Sequence, residues 1–337
     1  MTRELPASSD ALELAATERL SEEEAGYVAA ARAENTLRGY RSDWAEWSAW
    51  ALRDGSVELR ADPASISRYL AFLAGHGARV GTMARRLSAI RFAHRLRDLP
   101  DPTDHARVVA VWEGIRRTHG APPEQAKPLG PPDLWEVLDA CPIERRWKSA
   151  GRPSEPDFAG LRDRALLLIG FVGALRRSEL VGLDVDDVVA HPNGVVLSIG
   201  RSKTNQLGVE PELVVLPRVE RAAHCPVRAL QAWSEACGAT PGPLLRPVSR
   251  GNRIVGRRLN AGSANMLVQR AVARGGLDPE GYSAHSLRAG FVTYAHRLGI
   301  SDRAIARQTR HRSLASVGTY IRLDDAWEDN AATQLHL

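Results

Sequence analysis

The chain has 337 residues, long for one compact core and comfortable for two domains. Its 44% hydrophobic and 25% charged residues exclude bulk disorder, and the scattered Cys141, Cys225 and Cys237 exclude a disulfide framework or a CxxC zinc site. Net charge is +5, and the basic side is almost wholly arginine, since lysine occurs only at Lys127, Lys148 and Lys203. Arginine forks suit phosphate oxygens, although genomic GC bias gives the same skew and is by itself the better reading. The opening "MTRELPASSDALELAATERL" lacks the apolar region of a signal peptide, and "ALLLIGFVGAL" (165–175) is too short to cross a bilayer. A soluble protein of the reducing cytoplasm, with no membrane partner, is expected.

In chain order, residues 1–32 form an Ala- and Glu-rich leader. "NTLRGYRSDWAEWSAWALRDG" reads as a helix capped by Asn35 and stopped by glycine, with Leu37, Tyr40, Trp44, Trp47 and Trp50 on one stripe. "DPASISRYLAFLAGHG" has Asp62 as cap and Pro63 in its first turn, and "GTMARRLSAIRFAHRLRDLP" and "DHARVVAVWEGIRRTH" complete a four-helix domain over 33–119. "GAPPEQAKPLGPP", rich in proline and glycine, predicts an extended linker over 120–130.

From residue 131 to 337 helical periods dominate, in "DLWEVLDAC", "LRDRALLLIGFVGALRRSELVGL", "CPVRALQAWSEACG", "SANMLVQRAVARGG", "SAHSLRAGFVTYAHRLG", "SDRAIARQTRH" and "SLASVGTYIRL". Two β-branched runs, 195–199 and 213–216, flank a polar connection and predict a β-hairpin with a long tip. The fold class expected is mainly α: a four-helix N-terminal domain followed by a mostly helical domain with a small antiparallel sheet. The last stretch, "DDAWEDNAATQLHL", offers one more short helix with Trp327 as its anchor.

Five features stand out, and each has an ordinary explanation when taken alone. Arg176, where the apolar helix stops, reads as a solvated basic residue, and Lys203 at the hairpin tip as a solvated lysine. In "HSLR", His285 and Arg288 project on one helical face, a pairing common by chance. His311 reads as a surface histidine and Tyr320 as a half-buried helical tyrosine.

Their order changes this. Arginine in "ALRRSEL", lysine on a hairpin, "HSLR", "RH" and a tyrosine near the end resemble the signature of the tyrosine recombinase (phage integrase) family. The resemblance covers nearly the whole chain, with 33–119 similar to that family's core-binding (SAM-like) domain and 131–337 to its catalytic domain. Two departures are visible: Ala289 follows Arg288 where the family often has histidine, and Arg310 precedes His311 where many members have glycine.

The resemblance implies Tyr320 as nucleophile and a 3′-phosphotyrosyl intermediate, which conserves the broken bond's energy so that rejoining needs no ATP. These residue types suit that chemistry. Arg176 and Arg288 clamp the non-bridging oxygens as charge grows on them. His285 takes the phenol's proton, Lys203 protonates the leaving 5′ oxygen, and His311 hydrogen-bonds the phosphate. Glu179 orients partners from behind the site, a surface carboxylate being an equal reading. No metal and no cofactor are expected, since the arginines supply the charge and the sequence has no P-loop.

Arg85, Arg86, Arg91 and Arg95, with Arg270 and Arg274, are candidates for phosphate contacts, a solvated helical face being about as good a reading for each. Double-stranded DNA is the partner implied. The resemblance further implies a homo-tetramer on synapsed DNA, a monomer or weak dimer off it, a terminal helix docking into a neighbouring subunit, and room for an accessory directionality protein. A nucleoid-associated location in the cytoplasm follows. Two other readings stay open: a non-catalytic helix-turn-helix regulator built on "SDRAIARQTRHRSLASVGTYIR", and a type IB topoisomerase-like relaxing enzyme.

Overall fold

The computed structural model describes residues 34–122, 125–145, 154–200, 212–238, 240–311 and 313. The chain divides into two compact units at 124/125.

The first unit contains α1 (Glu34–Asp54), α2 (Pro63–Gly75), α3 (Val80–Leu96) and α4 (Ala106–His119), with a 3₁₀ turn at Pro102–Asp104. α1 packs on α3 and α2 on α4. The tryptophan stripe of α1 faces inward: Trp44, Trp47 and Trp50 are buried against Ile66, Tyr69, Leu70, Met83 and Ile90. Trp47 meets Tyr69 edge-on at 5.1 Å between ring centroids, and its Nε1 donates to the Glu58 carbonyl at 2.9 Å. Asn35 is not the cap expected of it, because the helix already includes Glu34 and Asn35 has helical backbone. Pro63 does open α2, where its missing N–H costs nothing. α4 starts later than its sequence suggests, since Asp104 belongs to the 3₁₀ turn and the His105 side chain accepts the Arg107 N–H as the cap.

The second unit runs α5 (Asp133–Asp139), a short pair β1 (Glu144–Arg145) and β2 (Glu155–Pro156), α6 (Phe158–Val172), α7 (Arg177–Gly182), β3 (Val188–His191), β4 (Gly194–Ile199), β5 (Glu212–Pro217), α8 (Pro226–Ala236), α9 (Ala261–Arg274), α10 (Ala284–Arg297) and α11 (Asp302–Thr309). The hairpin is β4–β5, with Val196 opposite Val215, and β3 adds a third antiparallel strand that its short run "VVAH" did not announce. α6 is apolar on nearly every side because α8 and α10 both pack on it.

Two expectations about continuity change. "LRDRALLLIGFVGALRRSELVGL" is two helices: Ala174 takes φ +45, the chain turns, and Arg176 becomes the N-cap of α7. The linker reading of 120–130 also fails in part. Lys127 and Leu129 donate backbone hydrogen bonds to Gly281 and Ser286, and Leu129 is fully buried, so this strap belongs to the second unit. It lies so close to α10 that a Cβ on Gly290 would sit 2.1 Å from the Leu129 carbonyl oxygen.

Candidate active site

The turn between α6 and α7 supplies the floor of the site. Arg176 at the α7 N-cap has its backbone N–H bound by Glu179 Oε2 at 2.8 Å and its Nη1 by Glu179 Oε1 at 2.6 Å. One buried carboxylate thus satisfies a helix-start N–H and holds a guanidinium, which is the carboxylate half of a capping box. Burial alone would raise the Glu179 pKa, but Arg310 and Arg176 outweigh it and hold the carboxyl below its ordinary value.

α10 supplies the opposite wall. Ser283 caps it, its Oγ accepting the His285 N–H at 3.2 Å. Arg288 projects from the second turn and is 1% exposed. Its Nη1 donates to the carbonyl of Ala174, the positive-φ residue of the turn, at 2.7 Å, and its Nη2 reaches His311 Nε2 at 2.9 Å. His285 stands at the exposed edge of the site. Loss of water around the ring, then the charges of Arg288 and Arg176, push its pKa below the ordinary value, and the positive end of α10 acts in the same sense.

His311 follows α11. A guanidinium only donates, so Nε2 must accept from Arg288, which leaves the proton on Nδ1. Nδ1 lies 2.7 Å from Thr309 Oγ1, and that hydroxyl donates onward to the Ile305 carbonyl at 2.8 Å. Partial burial, then Arg288, Arg176, Arg310 and His285, lower the His311 pKa to about 4, which keeps the ring neutral.

Arg176, Glu179, His285, Arg288 and His311 are therefore gathered in one place, though they are spread over 136 positions of sequence. Lys203 and Tyr320 lie outside the described residues, as does the tail with Trp327. Three contributors escaped sequence reading: the Ala174 carbonyl, Thr309 and Arg310. The signals for Arg310 were its place beside His311 and its departure from the glycine many family members have there.

Of the arginines considered for phosphate contact, Arg85, Arg86, Arg91, Arg95 and Arg274 have partners within the protein or sit beside an acid. Arg85 forks onto Asp43 at 2.6 and 3.0 Å, and Arg91 binds Asp101 and Asp104, each at 2.8 Å. Arg95 lies 3.4 Å from Asp101, whereas Arg86 is largely buried against Tyr69 and is the least suited to reach a phosphate. In the second unit Arg270 and Arg274 line a cavity of about 370 Å³ with Arg145, Arg162 and Arg250, and Arg274 lies 3.6 Å from the buried Asp163.

Comparison with known proteins shows the family. The profile of the phage integrase family matches residues 152–326, and that of the phage integrase N-terminal SAM-like domain matches 27–96. The chain is 33% identical over 322 residues to an integrase/recombinase xerD homolog of Selenomonas ruminantium, covering 95% of this chain and 90% of that protein. It is 28% identical over 297 residues to the tyrosine recombinase XerD of Xanthomonas axonopodis pv. citri, covering 86% and 87%. Among solved structures, XerH site-specific recombinase bound to a palindromic difH substrate superposes with a TM-score of 0.58 at 18% identity, over 90% of this chain and 80% of that one. The Tn1549 transposon integrase bound to transposon right end DNA gives 0.57 at 16% identity, over 98% of both, which shows a shared fold. The chain belongs to the phage integrase family: it is a tyrosine recombinase, an enzyme of site-specific DNA strand breakage and rejoining.

Proposed function

We propose that Tyr320 is the nucleophile and that Arg176, Arg288, His285, His311 and Lys203 complete its site. The phenol oxygen attacks the scissile phosphorus, the bond from phosphorus to the 5′ oxygen breaks, and a 3′-phosphotyrosyl link forms. Arg176 and Arg288 bind the non-bridging oxygens, whose charge increases in the transition state. His285, held neutral by its surroundings, accepts the phenolic proton. Lys203, between β4 and β5 in sequence, gives its proton to the leaving oxygen. Reversal on another strand's 5′ hydroxyl rejoins DNA without ATP, and no metal takes part.

The single observation that carries this reading is the contact of Arg288 with His311 at 2.9 Å, in a cluster whose other arginine, Arg176, is held by the buried Glu179. It favours a part for His311 different from the one its sequence position implied. With Nε2 accepting from Arg288, the ring steers that guanidinium; it does not donate to phosphate. The same inward orientation of Arg310 and His311 weighs against a helix-turn-helix reading, which needs the basic side chains leading into its second helix to reach base edges and phosphates.

The partner is double-stranded DNA, bound by a homo-tetramer during synapsis, and the site of action is the nucleoid. Among the described residues no helix is long and apolar enough to cross a membrane. The test is incubation with nicked suicide DNA from the flanks of the gene, in chelator. A denaturation-resistant adduct, lost in Tyr320→Phe, is expected. Absence of any adduct, or an adduct that survives in that variant, sinks the assignment. Relaxation of supercoiled plasmid lacking the site would instead favour a topoisomerase-like enzyme.

A further inference from the structure

We infer that Arg310 is a positioning residue: by bridging Glu179 and Glu212, it fixes both the carboxylate that holds Arg176 and the adjoining His311 that holds Arg288. The inference rests on the catalytic reading above.

Arg310 sits where an arginine is least expected. It ends α11 in the left-handed region, φ +57, a position glycine occupies without strain. Its side chain is nevertheless 5% exposed, and a buried charge is unfavourable unless paired. Both penalties would disappear with glycine at this position.

The pairing explains the residue. Nη2 binds Glu179 Oε2, the same oxygen that accepts the Arg176 backbone N–H, while Oε1 holds the Arg176 side chain. Nε lies 3.3 Å from Glu212 Oε2 at the start of β5, near enough to pair but misaligned for a hydrogen bond. Nη1 donates to the Gln308 carbonyl at 3.1 Å, and the Gln308 side-chain amide donates to the carbonyls of Val172 at 2.8 Å and Val215 at 2.9 Å. The segment 308–311 is thereby tied to the end of α6, the start of α7 and β5. Glu179 then presents Arg176 in one orientation, and His311, one residue further, is delivered to Arg288. Removing Arg310 leaves Glu179 with Arg176 alone and frees the His311 turn from both anchors.

The groups facing His311 are Arg288 and His285 on α10, Arg176 at the α7 N-cap, Thr309 at the end of α11, and Arg310 itself. Arg310 is one of the cations that keep the imidazole neutral, so its loss moves the acid limb of cleavage to higher pH. A residue that only supported the fold would not move that limb.

The experiment is single-turnover cleavage of nicked suicide DNA by the full chain at saturating DNA, with Tm and DNA affinity measured beside it. Arg310→Gly should keep its Tm and affinity, cleave about tenfold to a hundredfold more slowly, and show the shifted acid limb. Arg310→Lys, which keeps a charge against Glu179, should recover part of the rate. Should Arg310→Gly fail to fold, Glu212→Gln tests the second anchor, with slower cleavage at unchanged Tm expected. Wild-type rates in the folded variants overturn the inference alone, as does a rate loss matched by lost DNA affinity with an unmoved acid limb. No adduct even from the unsubstituted chain overturns the catalytic reading and this inference with it.

Discussion

Arg288 Nη2 and His311 Nε2 lie 2.9 Å apart, and the contact fixes which nitrogen of the imidazole carries the proton. The pair joins α10 to the end of α11, so a guanidinium that reads as one basic residue among many becomes a buried, aimed group.

Replacing Arg288 by lysine should therefore harm chemistry more than charge counting suggests. A single ammonium does not reproduce the two-sided grip on the Ala174 carbonyl and His311, since it lacks the planar fork. Transition-state stabilisation should fall by about 3 kcal/mol, read as a drop of roughly a hundredfold in single-turnover cleavage. A rate within about threefold of the unsubstituted chain would show that geometry is not what Arg288 contributes.

The depressed histidines set an acid dependence of stability. His311 titrates at about 4 in the folded protein against 6.5 as its ordinary value. The unfolded chain binds the extra proton first, so this stability is complete above pH 6.5 and is lost as pH falls toward about 4. His94 is depressed chiefly by burial and His285 by lost solvation and the arginines, and both act in the same direction. Urea midpoints measured from pH 7 to 4 should decline, and His311→Gln should flatten the curve without abolishing the slope. An unchanged slope in that variant would exclude His311 as a contributor.

Gly290→Ala tests whether the strap at 127–130 supports the helix that carries Arg288. A Cβ there meets the Leu129 carbonyl oxygen at 2.1 Å and carbon at 2.4 Å, both backbone atoms that cannot rotate away. Overpacking of this kind should cost about 3 kcal/mol, measured by urea denaturation. Faster proteolysis near Lys127 should accompany it, because the Leu129 N–H loses its hold on Ser286. Full stability and protection would mean the strap and α10 part easily.

Much of this was legible in the sequence, and for physical reasons. The tryptophan stripe of α1, the Asp62–Pro63 start of α2 and the Val-rich hairpin declare themselves because helix and strand periodicity are local properties. The site residues were legible only as an ordered set, which named Arg176, His285, Arg288 and His311 without saying what each touches. Asn35 lies inside its helix and not at a cap, and the strap failed as a linker because its hydrogen bonds to Gly281 and Ser286 overrode local propensity.

The sequence by itself determined the two units and the helical character and offered an ordered set of candidate side chains, since these follow from composition, period and order. Only the tertiary structure decided that Ala174 turns its carbonyl to Arg288, that His311 is a neutral acceptor, and that Arg310 is buried against Glu179. Those facts depend on charges brought together from distant positions and stripped of water, and the energy of such contacts is set by distance in space.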